Sequence, residues 1–216
     1  MDLSKYSFLY EFQKEGVQAL LSGKQLLSDE VGLGKSAQSL TYTEVMPYKR
    51  VLIICPAPLR ENWNNELNKF FNIRGIVLNG NVLERQVIFK SFVDNNHKYL
   101  ICNYEQLREI NSFLLDIFWD CIILDECHRI KNYQAKTYKW GKKLRASHKI
   151  ALTATPLTNH PTEVFNIVNF IRPYFFNWYK FRKTYGVLGE VYKGPKLKWQ
   201  IDIVSWHRLD ELYKEL

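Results

Sequence analysis

One stretch of eight residues has the residue types that bind phosphate groups. It runs from Asp29 to Ser36, reads DEVGLGKS, and lies between an apolar run at 25–27 and a helical pattern at 37–40. Glycines allow backbone N–H groups to close on phosphate oxygens, and a helix that begins here points the positive end of its dipole at them. In such loops the lysine reaches the outer phosphates and the next hydroxyl holds Mg²⁺. The stretch therefore predicts that Lys35 and Ser36 bind a nucleoside triphosphate together with its metal ion.

One position of this stretch departs from the usual spacing. In the pattern G-x-x-x-x-G-K-[ST], Asp29 stands where the first glycine belongs. A glycine-rich turn before an ordinary helix is therefore the alternative interpretation when these residues are taken alone. The choice between the two depends on the motifs further along the chain.

A pair of carboxylates ends an apolar run in the middle of the chain. Asp125 and Glu126 follow Ile122–Leu124 directly, and two charges at the end of a buried strand are costly unless a metal ion and a water molecule use them. In nucleotide hydrolysis the first carboxylate holds Mg²⁺ and the second acts as the general base for the attacking water. A surface Asp-Glu turn is the alternative, but the phosphate-binding pattern upstream favours the hydrolytic interpretation.

Small hydroxyl side chains follow a third apolar run. The sequence from Leu152 to Asn159 reads LTATPLTN and carries Thr153 and Thr155. Hydroxyl groups at a strand end can hydrogen-bond to a neighbouring carboxylate or histidine, and His128 is a candidate. Such a bond would connect the nucleotide to another surface, whereas a plain turn is the alternative.

Apolar runs that alternate with helical stretches predict the fold that positions these residues. The runs are Arg50–Cys55, Gly75–Leu78, Tyr99–Cys102, Cys121–Leu124 and Ile150–Leu152, and the helical stretches are residues 8–22, 59–71, 82–95, 104–110 and 135–146. This alternation indicates an α/β fold, a mostly parallel sheet with helices on both faces. Ligands of such sheets bind at the carboxyl ends of the strands. The three motifs above come just after such ends, so we expect them to share one crevice.

The composition limits the classes of protein and partner. The 216 residues carry 30 Lys and Arg against 22 Asp and Glu, a net charge of +8 that suits a polyanionic partner such as nucleic acid. The four cysteines form no C-x-x-C pair, and we expect reduced, mostly buried thiols. We find no signal-peptide pattern and no apolar run of about 20 residues that could span a membrane. We therefore expect a soluble intracellular protein with no membrane partner, in the cytoplasm or the nucleus depending on the organism.

The composition of the sequence changes after Pro161. A helical pattern at Thr162–Ile171 is followed by residues 172–198, which are rich in aromatic and basic side chains and contain several glycines. A further helical pattern covers Leu209–Leu216. We expect residues 1–160 to form the nucleotide-binding part and residues 161–216 to form a C-terminal helical appendage with a turn-rich loop.

Three of the motifs together resemble a known family. DEVGLGKS, DECHRIKN (Asp125–Asn132) and LTATPLTN are similar to DEMGLGKT, DEAHRIKN and LTGTPLQN of the Swi/Snf-type DNA translocases, a branch of the superfamily-two helicases. An aspartate in place of the first glycine is itself a feature of that family. CPAPLRENW (Cys55–Trp63), NYEQL (Asn103–Leu107) and LYEFQ (Leu9–Gln13) resemble further motifs of the family. The resemblance implies a RecA-like P-loop domain, the first of two motor lobes.

The resemblance implies ATP and Mg²⁺ as cofactors and assigns roles at the nucleotide site. Gln13 would bind adenine, and Ser36 with Asp125 would hold Mg²⁺. The catalytic residues would be Lys35, Asp125 and Glu126, of which Glu126 activates the attacking water. The residues that wrap the phosphates would be Asp29, Glu30, Val31, Gly32, Leu33, Gly34, Lys35 and Ser36.

The resemblance also implies double-stranded DNA and a second RecA-like lobe as partners. The residues that would couple the nucleotide to the grip on DNA are His128, Thr153 and Thr155. Contacts to the DNA backbone, which are independent of sequence and weaken with salt, would come from Pro58, Arg60, Asn103, Tyr104, Lys131 and Asn132. In such motors the second lobe supplies an arginine to the transition state. No second series of strands and helices follows residue 160, so we expect this lobe alone to hydrolyse ATP poorly.

Two other functions are compatible with the sequence. A superfamily-two DNA or RNA helicase, or the motor subunit of a restriction enzyme, would also carry DECH, although RIKN and LTATPLTN favour the Swi/Snf type. A DNA-binding module that keeps the fold without catalysis is a function of another class. The intact residues Lys35, Ser36, Asp125 and Glu126 argue against such a loss.

Overall fold

A computed structural model describes residues 2–109, 111–154, 161–173, 175, 177–192 and 199–206. The chain divides into two compact units, Met1–Pro156 and Leu157–Leu216. The division into domains at 1–160 and 161–216 stays a prediction, because compactness alone does not show that each part folds independently.

The first unit is built on a six-stranded parallel sheet. Its strands are β1 (Leu26–Leu27), β2 (Val51–Cys55), β3 (Ile76–Val77), β4 (Tyr99–Asn103), β5 (Trp119–Leu124) and β6 (Ala146–Leu152), in the spatial order β1-β6-β5-β2-β4-β3. Every residue of β2 and β4 is buried, which explains why β2, and β4 up to Cys102, read as unbroken apolar runs. The predicted parallel α/β fold and the positions of all six strands are confirmed.

One helix precedes the first strand of this sheet, and the others follow its strands. The helices are α1 (Glu11–Leu21), α2 (Lys35–Val45), α3 (Arg60–Phe71), α4 (Val82–Asp94), α5 (Gln106–Glu109), α6 (Asn111–Asp116) and α7 (Lys136–Lys142), with short 3-10 helices at Ala57–Leu59 and Cys127–Ile130. Local sequence sets where they begin. The Asn81 side chain, for example, accepts hydrogen bonds from the N–H groups of Leu83 and Glu84, while Glu84 accepts one from Asn81, and this reciprocal cap fixes the start of α4.

The described residues of the second unit form two helices and a β-hairpin. The helices are α8 (Pro161–Ile171) and α9 (Trp178–Tyr185), and the antiparallel strands are β7 (Gly186–Tyr192) and β8 (Trp199–Trp206). The predicted helix at 162–171 is present, but the predicted turn-rich loop within 172–198 was wrong for the residues that form β7. The pattern predicted at Leu209–Leu216 lies outside the described residues.

Two further expectations concern the cysteines, which should be buried thiols, and the helices, which should be too short or too polar to span a membrane. Cys55, Cys102, Cys121 and Cys127 are all buried free thiols, as expected, and burial raises the pKa of the Cys102 thiol to about 12. Among the described helices, none combines the length and the apolar character that crossing a membrane requires.

Candidate functional site

The sheet order brings the three predicted motifs side by side. Because all strands are parallel, their carboxyl ends lie at one edge, and β6 lies between β1 and β5 there. Thr153 follows β6, and its N–H donates to the carbonyl of Leu27 at the end of β1 over 3.1 Å. On the other side, Asp125 follows β5 and donates its N–H to Ile54 O of β2 over 2.8 Å. The glycine loop, Thr153 and the carboxylate pair therefore lie at one edge of the sheet, as the sequence predicted.

Two left-handed glycines shape the loop between β1 and α2. Gly32 has φ +85° and Gly34 has φ +74°, a conformation that side chains other than glycine rarely adopt. A Cβ atom on Gly34 would also lie 2.3 Å from Gln13 Nε2, so a side chain here would displace that glutamine in addition to straining the backbone. Directly after it, Lys35 begins α2, so the loop leads into a helix N-terminus as a phosphate site requires.

The Lys35 ammonium group lies across its own loop. It donates to Asp29 O over 2.6 Å and to Glu30 O over 2.9 Å. These carbonyls hold the cation at the centre of the loop, where a phosphate would meet it. Binding of a phosphate would exchange neutral carbonyl partners for a charged one, which forms the stronger hydrogen bond.

Two glutamine side chains hydrogen-bond to the glycine loop. Gln13 accepts a hydrogen bond from Tyr10 N (3.0 Å) and donates to Leu33 O (3.1 Å), so the predicted adenine-binding residue also fixes the loop to α1. Gln38 is fully buried and donates to Asp29 Oδ2 (2.9 Å) and to Leu33 O (3.3 Å). The aspartate that replaces the first glycine thus has a structural partner in α2.

Gln38 was not predicted as a site residue. Its position three residues after Lys35 places it on the same side of α2, which is the signal that could have found it. Its Oε1 atom is buried with no hydrogen-bond partner, and a Cβ on Gly16 would lie 1.8 Å from that atom. Gly16 in α1 therefore leaves the space that the Gln38 side chain occupies between α1 and α2.

Asp125 is held by two buried aromatic side chains. Trp63 Nε1 donates to Asp125 Oδ2 over 2.8 Å, and the Tyr104 hydroxyl donates to the Asp125 carbonyl over 2.6 Å. Burial raises the pKa of the Asp125 carboxyl, while the Trp63 N–H and the charge of Lys35 act in the opposite direction. Of these influences on the pKa of Asp125, the charge of Lys35 is the weakest.

Glu126 is the next residue, and its backbone is left-handed with φ +52°. A conformation of this kind costs a non-glycine residue about 1–3 kcal/mol and is found most often at functional sites. Glu126 Oε2 lies 3.2 Å from His128 Nδ1. The His128 side chain is itself largely exposed, so Glu126 and His128 together form a polar pair at the edge of the crevice.

The residues predicted to contact DNA fall into two groups. Pro58, Lys131 and Asn132 are exposed, and Arg60 is half-buried, with Nη1 donating to Leu78 O. Asn103 and Tyr104 are instead 9% and 2% exposed, and they hydrogen-bond to Gln106 and to Asp125. The structure does not present these two side chains to a DNA backbone, so we correct their role to support of the site. Thr155 lies outside the described residues.

The chain matches the sequence profile of the SNF2-related domain over residues 12–196. It belongs to that family. Human chromodomain-helicase-DNA-binding protein 8 is 31% identical over 225 residues that cover 94% of this chain, and human chromodomain-helicase-DNA-binding protein 6 is 32% identical over 186 residues that cover 76%. The match covers 9% and 7% of these two relatives, so the chain spans less than a tenth of either.

A solved structure agrees with this SNF2-related assignment. The SWI2/SNF2 ATPase core of Sulfolobus solfataricus in complex with double-stranded DNA superposes with a TM-score of 0.69 and 27% identity. The superposition covers 81% of this chain and 38% of that chain. The resemblance to the N-terminal RecA-like lobe of Swi/Snf-type proteins is therefore confirmed.

The donors of this SNF2-related site fit a magnesium ion. Mg²⁺ prefers oxygen ligands and commonly uses one or two protein groups together with water and phosphate. Asp125 supplies a carboxylate whose Oδ2 is already oriented by Trp63, and Ser36 supplies a hydroxyl in the first turn of α2. Among the described residues, no group of three or more His, Cys, Asp or Glu side chains forms a separate metal cluster.

Replacing Trp63 with phenylalanine should weaken metal binding at this site. The change keeps an aromatic ring but leaves Asp125 Oδ2 without its N–H donor, at a cost of about 1–3 kcal/mol in unfolding free energy. Partners that orient a metal ligand typically contribute about 10–100-fold in metal affinity. We expect the Mg²⁺ concentration for half-maximal binding of a fluorescent ATP analogue to rise by about 10-fold or more.

Trp119 offers a matched control for this experiment. It is also fully buried, and its Nε1 donates to Leu114 O over 3.1 Å. Trp119→Phe should therefore lose a similar amount of unfolding free energy, measured by urea denaturation, without a change in the Mg²⁺ requirement. An equal Mg²⁺ requirement in the two variants would remove Trp63 from its positioning role.

Proposed function

We propose that this chain is the ATP-binding motor lobe of an ATP-dependent double-stranded DNA translocase of Swi/Snf type. The observation that carries the proposal is the position of the glycine loop and the Asp125–Glu126 pair at the same edge of the sheet, after β1 and β5, the two parallel strands that flank β6. The charge of Lys35 acts on the Asp125 carboxyl across this crevice. Membership of the SNF2-related domain family supports the same activity.

ATP is the proposed substrate, and different residues of the site bind its phosphates, its metal ion and its base. The loop from Asp29 to Ser36 wraps the phosphates with backbone N–H groups, and Lys35 neutralises their charge. Ser36 and Asp125 hold Mg²⁺, which neutralises the charge that develops on the phosphate oxygens. Glu126 accepts a proton from the attacking water, and Gln13 contacts adenine.

Double-stranded DNA is the proposed track, bound through its backbone. The solved relative that superposes on this chain is in complex with double-stranded DNA, which supports the assignment. The exposed residues Pro58, Lys131 and Asn132, together with Arg60, provide the contacts that we propose on this side. A second RecA-like lobe of the same enzyme would supply the arginine that stabilises the transition state.

Coupling between the nucleotide and DNA would pass through His128 and Thr153. Thr153 is fully buried between the ends of β1 and β5, and His128 lies beside Glu126 with its ring exposed. A change in the hydrogen bonds of Glu126 on hydrolysis would reach His128 directly. We propose the same coupling role for Thr155, the third residue that the resemblance implies.

The test is ATP hydrolysis with and without double-stranded DNA. We expect binding of ATP but slow hydrolysis by this lobe alone, and DNA-stimulated hydrolysis in a protein that carries it together with a second RecA-like lobe. Failure of the chain to bind ATP would overturn the proposal. A strand-separation assay distinguishes the superfamily-two helicases, since a translocase of this type moves along the duplex without unwinding it.

A further inference from the structure

One short segment of this chain carries several positive charges and no negative ones. Residues 127–145 contain seven of the 30 Lys and Arg residues and none of the 22 Asp and Glu residues. The remaining residues therefore carry 23 basic and 22 acidic side chains, which nearly cancel. The segment therefore carries a net charge of +7, and four of its lysines lie on or next to α7.

These four side chains form a surface that we call the lysine face. Lys136, Lys139, Lys142 and Lys143 are all exposed, and none of them is paired with a carboxylate in the part of the chain that the structure describes. With Tyr133, Tyr138 and Trp140 they line a shallow groove of about 520 Å³. Four adjacent cations without counter-charges repel one another and favour an anionic partner.

Aromatic rings within the groove hold two of the cations in place. Lys143 Nζ lies 3.9 Å from the centre of the Trp140 ring, and Lys142 Nζ lies 5.8 Å from that of Tyr138. A cation on the face of a ring keeps its full charge while its position becomes more defined. The groove therefore presents oriented cations rather than lysines that are paired internally.

The spacing of the lysine face fits a DNA strand. From Lys136 to Lys143 the helix rises by about 10 Å at 1.5 Å per residue, which equals about three phosphates of one strand at 3.4 Å each. The face also continues the proposed DNA path, because Lys131 and Asn132 lie in the short segment that leads into α7 at Lys136.

We propose that the lysine face of α7 is an additional contact to the backbone of double-stranded DNA, beside the contacts made by the loops after the strands. The inference rests on the proposed function, since it extends the DNA path of the same lobe. Phosphate contacts of this kind carry no base specificity, so the face would lengthen the grip on any sequence.

The experiment is the salt dependence of duplex binding, measured by fluorescence anisotropy of a short labelled DNA. Each neutralised phosphate contributes about 0.9 to the slope of log affinity against log salt. A variant with alanine at all four lysines of the face should lose about three contacts. From 50 to 200 mM salt, the unchanged chain should then lose about 40-fold more affinity than this variant.

A control variant removes the same amount of charge elsewhere. It carries alanine at four exposed lysines outside the proposed path, namely Lys5, Lys49, Lys69 and Lys90. We expect its slope to match that of the unchanged chain, and both variants to keep the thermal midpoint. Equal slopes for the two variants would overturn the inference, because the effect would then follow net charge and not the place of the lysines.

Two further outcomes separate this inference from the proposed function. If the unchanged chain binds no duplex at low salt, both are overturned. If it binds duplex and ATP, but loss of the lysine face changes only the binding of a polyglutamate peptide, the surface serves an acidic protein segment and this inference alone fails.

Discussion

Glu126→Gln is expected to lower the rate of DNA-stimulated ATP hydrolysis by about 10²–10⁴-fold, the usual contribution of a general base. Glutamine has nearly the same shape and can still hydrogen-bond to His128, but it cannot accept the proton of the attacking water. The charge of Glu126 raises the pKa of the neighbouring Asp125. Its removal should therefore favour the ionised form of Asp125, and the affinity for Mg²⁺ and ATP should be kept or increased.

The measurement is ATP turnover by a protein that carries this chain with a second RecA-like lobe, together with binding of a fluorescent ATP analogue. Glu105→Gln is the matched control, because Glu105 is an exposed carboxylate that pairs with Arg129 at 3.3 Å and has no proposed part in the chemistry. Turnover at the unchanged rate in Glu126→Gln would exclude Glu126 as the base. Loss of ATP binding in that variant would show instead that its side chain supports the nucleotide site.

The sheet and the placement of the site were predictable because buried parallel strands leave a simple signal. The residues of β2, and those of β4 up to Cys102, are apolar without interruption since both faces of the sheet are covered. In such a sheet, the residues after the strands must meet at one edge. Knowing that Asp29 follows one strand and Asp125 another was therefore enough to place both in one crevice.

The hairpin of the second unit was not predicted, because its sequence contains both residues that favour strands and residues that favour turns. Residues 186–192 and 199–206 contain β-branched and aromatic residues that favour strands. The glycines at 186, 189 and 194 and the proline at 195 are typical of turns, and they outweighed that preference over the whole segment. Two apolar runs on either side of Gly194-Pro195 would have been the better indication of a hairpin.

Side-chain direction is the part of the site that the sequence could not supply. Tyr104 follows a strand end, as a surface contact would, but its hydroxyl turns inward to the Asp125 carbonyl. The sequence placed Trp63 within a motif but gave it no role. In the structure it lies in α3, the helix that follows β2, and its Nε1 donates to the Asp125 carboxylate. Motif spacing assigns residues to an edge of the sheet, whereas tertiary packing decides which of them face the ligand and which support it.

Lys35→Ala should reduce the affinity for ATP by about 10²–10⁴-fold, since two hydrogen bonds to charged phosphates contribute about 1.5–3 kcal/mol each. The variant also removes the charge that lowers the pKa of Asp125, so the Mg²⁺ requirement should rise as well. Affinity for AMP should change little, because this lysine reaches the outer phosphates and not the first.

The contrast between ATP and AMP separates loss of a phosphate contact from collapse of the loop. Lys35 also donates to Asp29 O and Glu30 O, so its removal frees two carbonyls that hold the loop in shape. If the loop collapsed, both nucleotides would lose affinity together, whereas loss of the phosphate contact alone affects ATP. Lys49→Ala, at an exposed lysine before β2, is the control for a general loss of charge. ATP affinity within about 3-fold of the unchanged chain would contradict the role of Lys35, because it would imply less than 1 kcal/mol for both bonds.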